Sequence, residues 1–410
     1  MEKTLKKFAD KLIMANLGAR SGPCRPLMGG LDDRVVWNRK ADEARILEQL
    51  FKELHINSLA FLRPVEPYKT IISFLAEKAL GSLDGTISPK DCETRTFLHD
   101  LPVIDEFNPE KIIHVLKKRK SVIVAPKKGS PQETGPAVIA QGTVSPEQGF
   151  VTISSVCFAS FVKFFTDYLE ALQKGLTTGK DHAVFDAVTP YLKPVPKKMP
   201  VLMKGPFQSE EAIYSAVIEA GLKTVEYGLV DSYFGNVSYL WNNTLYISQT
   251  GSSLDELSGC IDPVPMDGST SAGITASSEL SAHMETISRT GCQSILHGHP
   301  KFSVILSMDC DPIEKGACSF SDQCHIRCPK KRFVAGIPIV PGEVGTGPFG
   351  LCNTLPAALE KKSSAIVYGH GLFTTGNTDF SEAFSTLLKV ENTCKDIYFK
   401  KVADLRNTTA

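Results

Sequence analysis

Five prolines crowd one short span, Pro190, Pro194, Pro196, Pro200 and Pro206, with Lys197 and Lys198 among them. Proline fixes φ near −65° and donates no backbone hydrogen bond, so this span is neither a helix interior nor a central strand. It reads as an extended connector that cuts the 410-residue chain in two. One hydrophobic core seldom serves a chain of this length, and two domains of about 200 residues each are the natural expectation. The sequence therefore predicts a first domain over 1–195, a linker over 196–208 and a second domain over 209–410.

Charge narrows the partners. Lys plus Arg equals Asp plus Glu at 45 each, so no overall field favours nucleic acid or a membrane surface. The basic runs Lys117-Lys118-Arg119-Lys120 and Lys330-Lys331-Arg332 read as solvated helix ends or loops. No apolar stretch reads as reaching the roughly 18–20 residues a bilayer requires. Neither a nucleic-acid nor a membrane partner is expected. The eleven cysteines are odd in number and no export signal precedes them, which points to reduced thiols in a cytoplasm.

The second half alternates strands and helices. Ser209-Glu210-Glu211 opens a helix with a capping hydroxyl and an acidic first turn. Strands are expected over 237–239, 244–248 and 365–368, and another ends at His297. Helices are expected over 278–289, 354–361 and 381–402, with a further apolar segment over 303–308.

The first half reads as a worn copy. A helix over 41–54 precedes Ser58-Leu59-Ala60-Phe61-Leu62-Arg63-Pro64, which parallels Ser294-Ile295-Leu296-His297-Gly298-His299-Pro300. Phe61 and Arg63 then stand where the two histidines are. Ser121 to Pro126 parallels Ala365 to His370, with Pro126 in the place of His370, and a long helix follows over 158–172. The alternative is that two α/β segments share such patterns by chance. If the parallel is real, the first half is a structural or interface domain that holds no metal.

Three of the nine histidines fall where a divalent ion can collect them. His297 and His299 end an apolar run, and residues two apart on a strand face the same way. His370 ends a second apolar run. Three neutral imidazoles with one coordination position open describe a catalytic zinc site. A lone His-x-His pair also serves as a buried structural pair, and His370 is what weighs against that reading. Upstream lie Gly235-Asn236-Val237-Ser238, Thr250-Gly251-Ser252-Ser253 and Ser277-Ser278-Glu279. Serine hydroxyls beside backbone N–H groups at a helix start suit a phosphate, although each motif alone is a common turn or cap.

Taken in order, Gly-Asn-Val-Ser, Thr-Gly, Ser-Ser-Glu, His-x-His and His-Gly resemble the class II aldolase/adducin family. That family includes fuculose-phosphate aldolase, rhamnulose-phosphate aldolase and ribulose-phosphate 4-epimerase. The resemblance covers about residues 209–402. It implies an α/β/α domain with a central, mostly antiparallel sheet, here in two tandem copies of which the first is degenerate. It also implies that His297, His299 and His370 bind Zn2+ or another divalent metal. Glu279 would transfer the proton, while Asn236, Thr250, Gly251, Ser277 and Ser278 would hold the substrate phosphate.

The implied activity is that of an aldehyde-lyase, a retro-aldol cleavage of a phosphorylated ketose through a metal-stabilised enediolate. A sugar-phosphate dehydratase, decarboxylase or 4-epimerase, or a non-catalytic adducin-like binding protein, are the alternatives. Glutamate at 279 leans away from the epimerases, which carry aspartate there. Relatives form tetramers with active sites at subunit boundaries, so the resemblance implies a homo-oligomer whose partner is a small-molecule sugar phosphate.

Three residues and one cluster have other readings. Glu279 can instead be a first-turn cap, and His283, four residues on, reads as a supporting or core residue. Tyr398 reads as a packed aromatic or as a residue supplied to a neighbouring subunit. Cys310, Cys318, Cys324 and Cys328 are separated by seven, five and three intervening residues, with His325 among them. They form a possible second metal site, for zinc or an iron–sulfur cluster, or else behave as small buried hydrophobes.

Overall fold

A computed structural model describes residues 1–126, 135–230, 233–269, 274–311, 315–321, 323–343 and 345–409. Two compact units part between Lys193 and Pro194, inside the proline-dense span, and Leu169–Leu176 groups with the second.

The first unit runs α1 (Glu2–Met14), β1 (Leu27–Leu31), β2 (Val35–Trp37), α2 (Asp42–Leu54), β3 (Ser58–Leu62) and α3 (Tyr68–Leu80). It continues with β4 (Thr86–Ile87), β5 (Leu101–Ile104), α4 (Pro109–Leu116), β6 (Ser121–Val124), β7 (Ala137–Gly142), α5 (Pro146–Gln173) and α6 (Gly179–Val188). The sheet order is β2-β1-β3-β7-β6-β5-β4, with β5 and β6 parallel and the other described pairs antiparallel. Beneath one face, Leu47, Leu50 and Phe51 of α2 and Ile112 and Leu116 of α4 pack on Leu59, Phe61, Val122 and Ile139.

One sequence expectation is corrected here. α5 is long and apolar enough to cross a membrane by length and composition, contrary to the reading that no such stretch exists. Of its most apolar window, 83% is buried inside the protein, so its hydrophobicity is spent on the core.

The second unit opens with α7 (Glu210–Glu226), β8 (Asn236–Trp241), β9 (Thr244–Ser248), β10 (Ile261–Pro265), α8 (Leu280–Thr290), β11 (Ser294–Gly298) and α9 (Lys301–Met308). Then come β12 (Arg332–Val334), β13 (Ile337–Val340), α10 (Leu351–Leu359), β14 (Ser364–Val367), β15 (Gly371–Gly376) and α11 (Phe380–Thr409). The apolar segment over 303–308 is thus helix α9. The span read as a linker is not free: Leu202 and Phe207 are buried, and the Gly205 N–H donates to Asp379 at 3.1 Å.

The second sheet is mixed, in the order β10-β9-β8-β11-β15-β14-β13-β12, with β13 and β14 parallel. On one face α8 and α10 bury Ile287, Leu351 and Leu355 against Ile295, Val367 and Phe373. Apart from β10, strand order and the parallel pair are those of the first sheet. The Ser58 hydroxyl donates to Gly142 O (3.3 Å) and Ser145 O (2.7 Å), and the Ser294 hydroxyl to Gly376 O (3.4 Å) and Asp379 O (2.7 Å).

Register also corrects the parallel drawn between the two halves. Val124 opposes Ala137 as Val367 opposes Gly371, and the N–H groups of Ala125 and Tyr368 donate to Ile104 O and Val340 O. Ala125 therefore matches Tyr368 and Pro126 matches Gly369, one residue off the sequence alignment. The position matching His370 falls outside the described residues. Two short apolar runs slide past one another at no cost in pattern, and only the ladder fixes them.

Candidate metal centre

β11 lies between β8 and β15, with His297 opposite Asn236 on one side and Phe373 on the other. Strand alternation puts His297 on the same face as Ile295, beneath α8. Glu279 is the residue from which α8 starts. His299 lies just past the end of β11, and His370 sits in the turn joining β14 to β15. Sheet register therefore carries the three imidazoles and the carboxylate to one place.

There, His297 Nε2 and His299 Nε2 are 3.1 Å apart, and the trio's ligand nitrogens all lie within 4.8 Å of one another. Glu279 Oε2 is 3.6 Å from His297 Nε2, and Oε1 is 3.4 Å from His370 Nε2. All four side chains are buried. The Asn236 amide donates to Glu279 Oε2 at 2.6 Å, and its own Oδ1 is buried without a hydrogen-bond partner. Glu279 makes no side-chain capping bond, so it does not serve as a helix cap.

Charge and tautomer suit a cation. His297 Nδ1 lies 3.2 Å from Leu372 O; a carbonyl only accepts, so Nδ1 carries the proton and Nε2 presents a lone pair. Burial, then the neighbouring imidazoles, hold His297 and His299 well below their ordinary range, and neutral imidazole is the form that ligates. Burial pushes the Glu279 carboxyl up, against the opposing effects of His370 and the Asn236 bond. A divalent ion fits this set: three neutral nitrogen donors and one carboxylate, gathered where none is well solvated.

Two glycines make the room. A Cβ on Gly371 would stand 2.6 Å from His297 Cε1 and 2.8 Å from His299 Cδ2. Gly235, at φ +100°, passes so close to the His297 carbonyl that a side chain there would collide with it. Phe373 stacks on the His297 ring at 3.8 Å between centroids. His283 is fully buried, 2.7 Å from the Ser238 hydroxyl, and its Nε2 has no hydrogen-bond partner. Burial lowers it to about 3.

The proposed phosphate residues divide. Thr250, Gly251 and Ser278 are exposed, whereas Ser277 is buried and accepts from the Glu279 N–H at 3.3 Å. A bridge between Gln249 and Ala276, with Thr250 N donating to Thr275 O, ties the Thr250-Gly251 turn to the segment leading into Glu279. Asn236 instead spends its donor on Glu279.

Cys310, Cys318, Cys324 and Cys328 are half-buried and in no disulfide. They do not gather as the histidines do: among the described residues, the trio is the only such group close enough to share an ion. The Cys324 thiol donates to Ser321 O at 3.3 Å, and burial, then Cys328, pushes it up. Tyr398 is fully buried against Phe302 and Phe399, as a packed aromatic.

Residues 215–398 match the family of the class II aldolase and adducin N-terminal domain. The match lies wholly within the second unit and covers less than half of the chain. Among solved structures, L-fuculose-1-phosphate aldolase from Thermus thermophilus matches at 20% identity and TM-score 0.37, covering 47% of this chain and 95% of that one. A sugar-phosphate aldolase from Thermotoga maritima matches at 17% identity and TM-score 0.35, covering 49% and 99%. L-fuculose 1-phosphate aldolase from Glaciozyma antarctica matches at 16% identity and TM-score 0.35, covering 50% and 80%. Comparison with curated proteins gives no match.

Within the matched region, Phe373 escaped the sequence reading, whereas Ser238 and Gly371 stood in its Gly-Asn-Val-Ser and His-Gly motifs without a role of their own. Gly371 had a signal, a glycine directly after a candidate ligand in an apolar strand. Phe373 reads as an ordinary strand residue.

Proposed function

We propose that the second unit is a divalent-metal lyase, with zinc as the ion, that cleaves a phosphorylated ketose by retro-aldol chemistry. The observation that carries this reading is Glu279 lying 3.4–3.6 Å from two of three converged imidazoles, with no capping duty of its own. His297, His299 and His370 would hold the ion, which would supply Lewis-acid chemistry at a ketose carbonyl and offset negative charge on its oxygen. Glu279, raised by burial, is suited to give and take a proton at the adjacent carbon. Asn236 holds the carboxylate, and its unpartnered Oδ1 is available to a substrate hydroxyl. Thr250, Gly251, Ser277 and Ser278 would seat the phosphate, which places the reacting carbon toward Glu279.

We also read the first unit as a degenerate copy. Counting back from Ser58 and Ser294 puts Glu43 at the register of Glu279, and counting forward puts Arg63 at that of His299. Arg63 lies 3.3 Å from Glu43, so a fixed guanidinium faces the carboxylate where the second unit has imidazole. A cytoplasmic setting is part of the proposal, supported by eleven cysteines with no disulfide among them.

The test is a screen of phosphorylated ketoses with zinc-loaded protein, followed by release of a triose phosphate. Glu279→Gln should still bind one zinc per chain while turnover falls by about 10²–10⁴-fold, the usual loss for a general acid–base group. Undiminished cleavage in that variant refutes the assignment. Turnover without triose phosphate would favour a dehydratase, decarboxylase or 4-epimerase, and zinc binding without turnover a binding protein.

A further inference from the structure

α9 begins two residues after His299, and what holds its start comes from far along the chain. Glu391, buried in α11, accepts from the backbone N–H groups of Phe302 and Ser303, both at 2.9 Å, and from the Ser303 hydroxyl at 2.8 Å. The first N–H groups of a helix have no partner within it, and its N-terminal end favours negative charge. A buried carboxylate there meets both needs. Only Pro300, at φ −69°, and Lys301 separate His299 from this clamp, so little slack remains between them.

The same helix supports the third imidazole. The Ser307 hydroxyl, in its last turn, accepts from the Gly369 N–H at 2.8 Å, next to His370. α9 thus links two of the three ligands, and Glu391 anchors it.

The first unit offers an internal contrast. The serine bridges match Ser145 to Asp379, and the same distance along each following helix reaches Cys157 and Glu391. There the helix after the central strand is capped locally instead, Glu66 accepting from the Thr70 N–H at 3.2 Å and its hydroxyl at 2.9 Å. Where the histidines are missing, the matching helix position carries a cysteine and not a carboxylate.

We propose that Glu391 is a positioning residue for the metal centre: through α9 it fixes the approach of His299, and through Ser307 the turn carrying His370. This rests on reading the histidine trio as a metal site. Partners beyond the ligands orient them, and losing one typically weakens binding without removing the ion.

The experiment measures zinc(II) affinity by chelator competition and the visible spectrum of the cobalt(II)-loaded full chain. Glu391→Gln should lower zinc affinity by about 10–100-fold and shift the cobalt bands, with Ser307→Ala giving a smaller change of the same kind. Should Glu391→Gln fail to fold, Ser303→Ala, which removes one of the three hydrogen bonds, takes its place. Unchanged zinc affinity and an unchanged cobalt spectrum, even with a lower melting temperature, would overturn the proposal and leave Glu391 a packing residue. If wild type and His299→Ala bind cobalt(II) alike, the metal reading itself fails, and the positioning role falls with it.

Discussion

A methyl group at Gly371 has nowhere to go. It would press on two imidazole rings at once and on the Gly298 carbonyl, and strand pairing holds both His297 and Gly298 in place. Overpacking of this kind costs about 1–3 kcal/mol where neighbours can shift. Gly371→Ala should therefore lower zinc affinity at least about tenfold by the same reasoning while circular dichroism shows the fold retained; wild-type affinity would mean that the rings have slack. His283 gives the second prediction at this scale. Burial holds it neutral down to about 3, whereas in the unfolded chain it titrates near its ordinary value of 6.5. The unfolded state binds the extra proton, so stability rises with pH and is lost as pH falls from about 6.5 toward 3. Metal-free His283→Leu should show a shallower acid limb in urea midpoints across that window. An unaltered slope would show that His283 takes no part in it.

Elements differ in how far the sequence discloses them. β11 was legible because its apolar run ends in the histidines themselves, and α8 because serines and a glutamate open it. The clamp on α9 was not, since Glu391 lies 89 residues from Phe302 and nothing local marks either as the other's partner. α5 was read only from 158, yet it starts at Pro146. Its first turns carry Thr152, Ser154 and Ser155, which look polar in sequence and are buried in the fold. The register of β6 missed by one residue because an apolar run of four carries no phase of its own. α6 provides the test at this scale. Thr178 and Asp181 form a reciprocal capping box there, and the Lys78 ammonium lies 2.9 Å from Asp181. Thr178→Ala should cost roughly 1 kcal/mol in chemical unfolding of the first unit, and no change would show that the helix is held by packing alone.

At the scale of the whole molecule, the two units differ in what they ask of their surroundings. An ion bound to the folded second unit, and not to the unfolded chain, adds stability to that unit by mass action. Removing metal with a chelator should lower hydrogen-exchange protection at Leu296 and Leu372 while leaving Leu59 and Val138 of the first sheet unchanged. Equal loss in both would place the ion's influence outside the trio. The shared strand order has a further consequence during refolding. β3 and β11 fill corresponding central slots in the two strand orders, and each begins with a serine that bridges two carbonyls, Gly142 and Ser145 in one sheet and Gly376 and Asp379 in the other. Mispaired intermediates between neighbouring domains are a known hazard of such chains. What distinguishes the two slots is the side chain opposite Asn236 or Leu27, imidazole in one and phenyl in the other. Exchanging the two strands would set phenyl against Asn236 and imidazole against Leu27, a mismatch of polarity in each sheet.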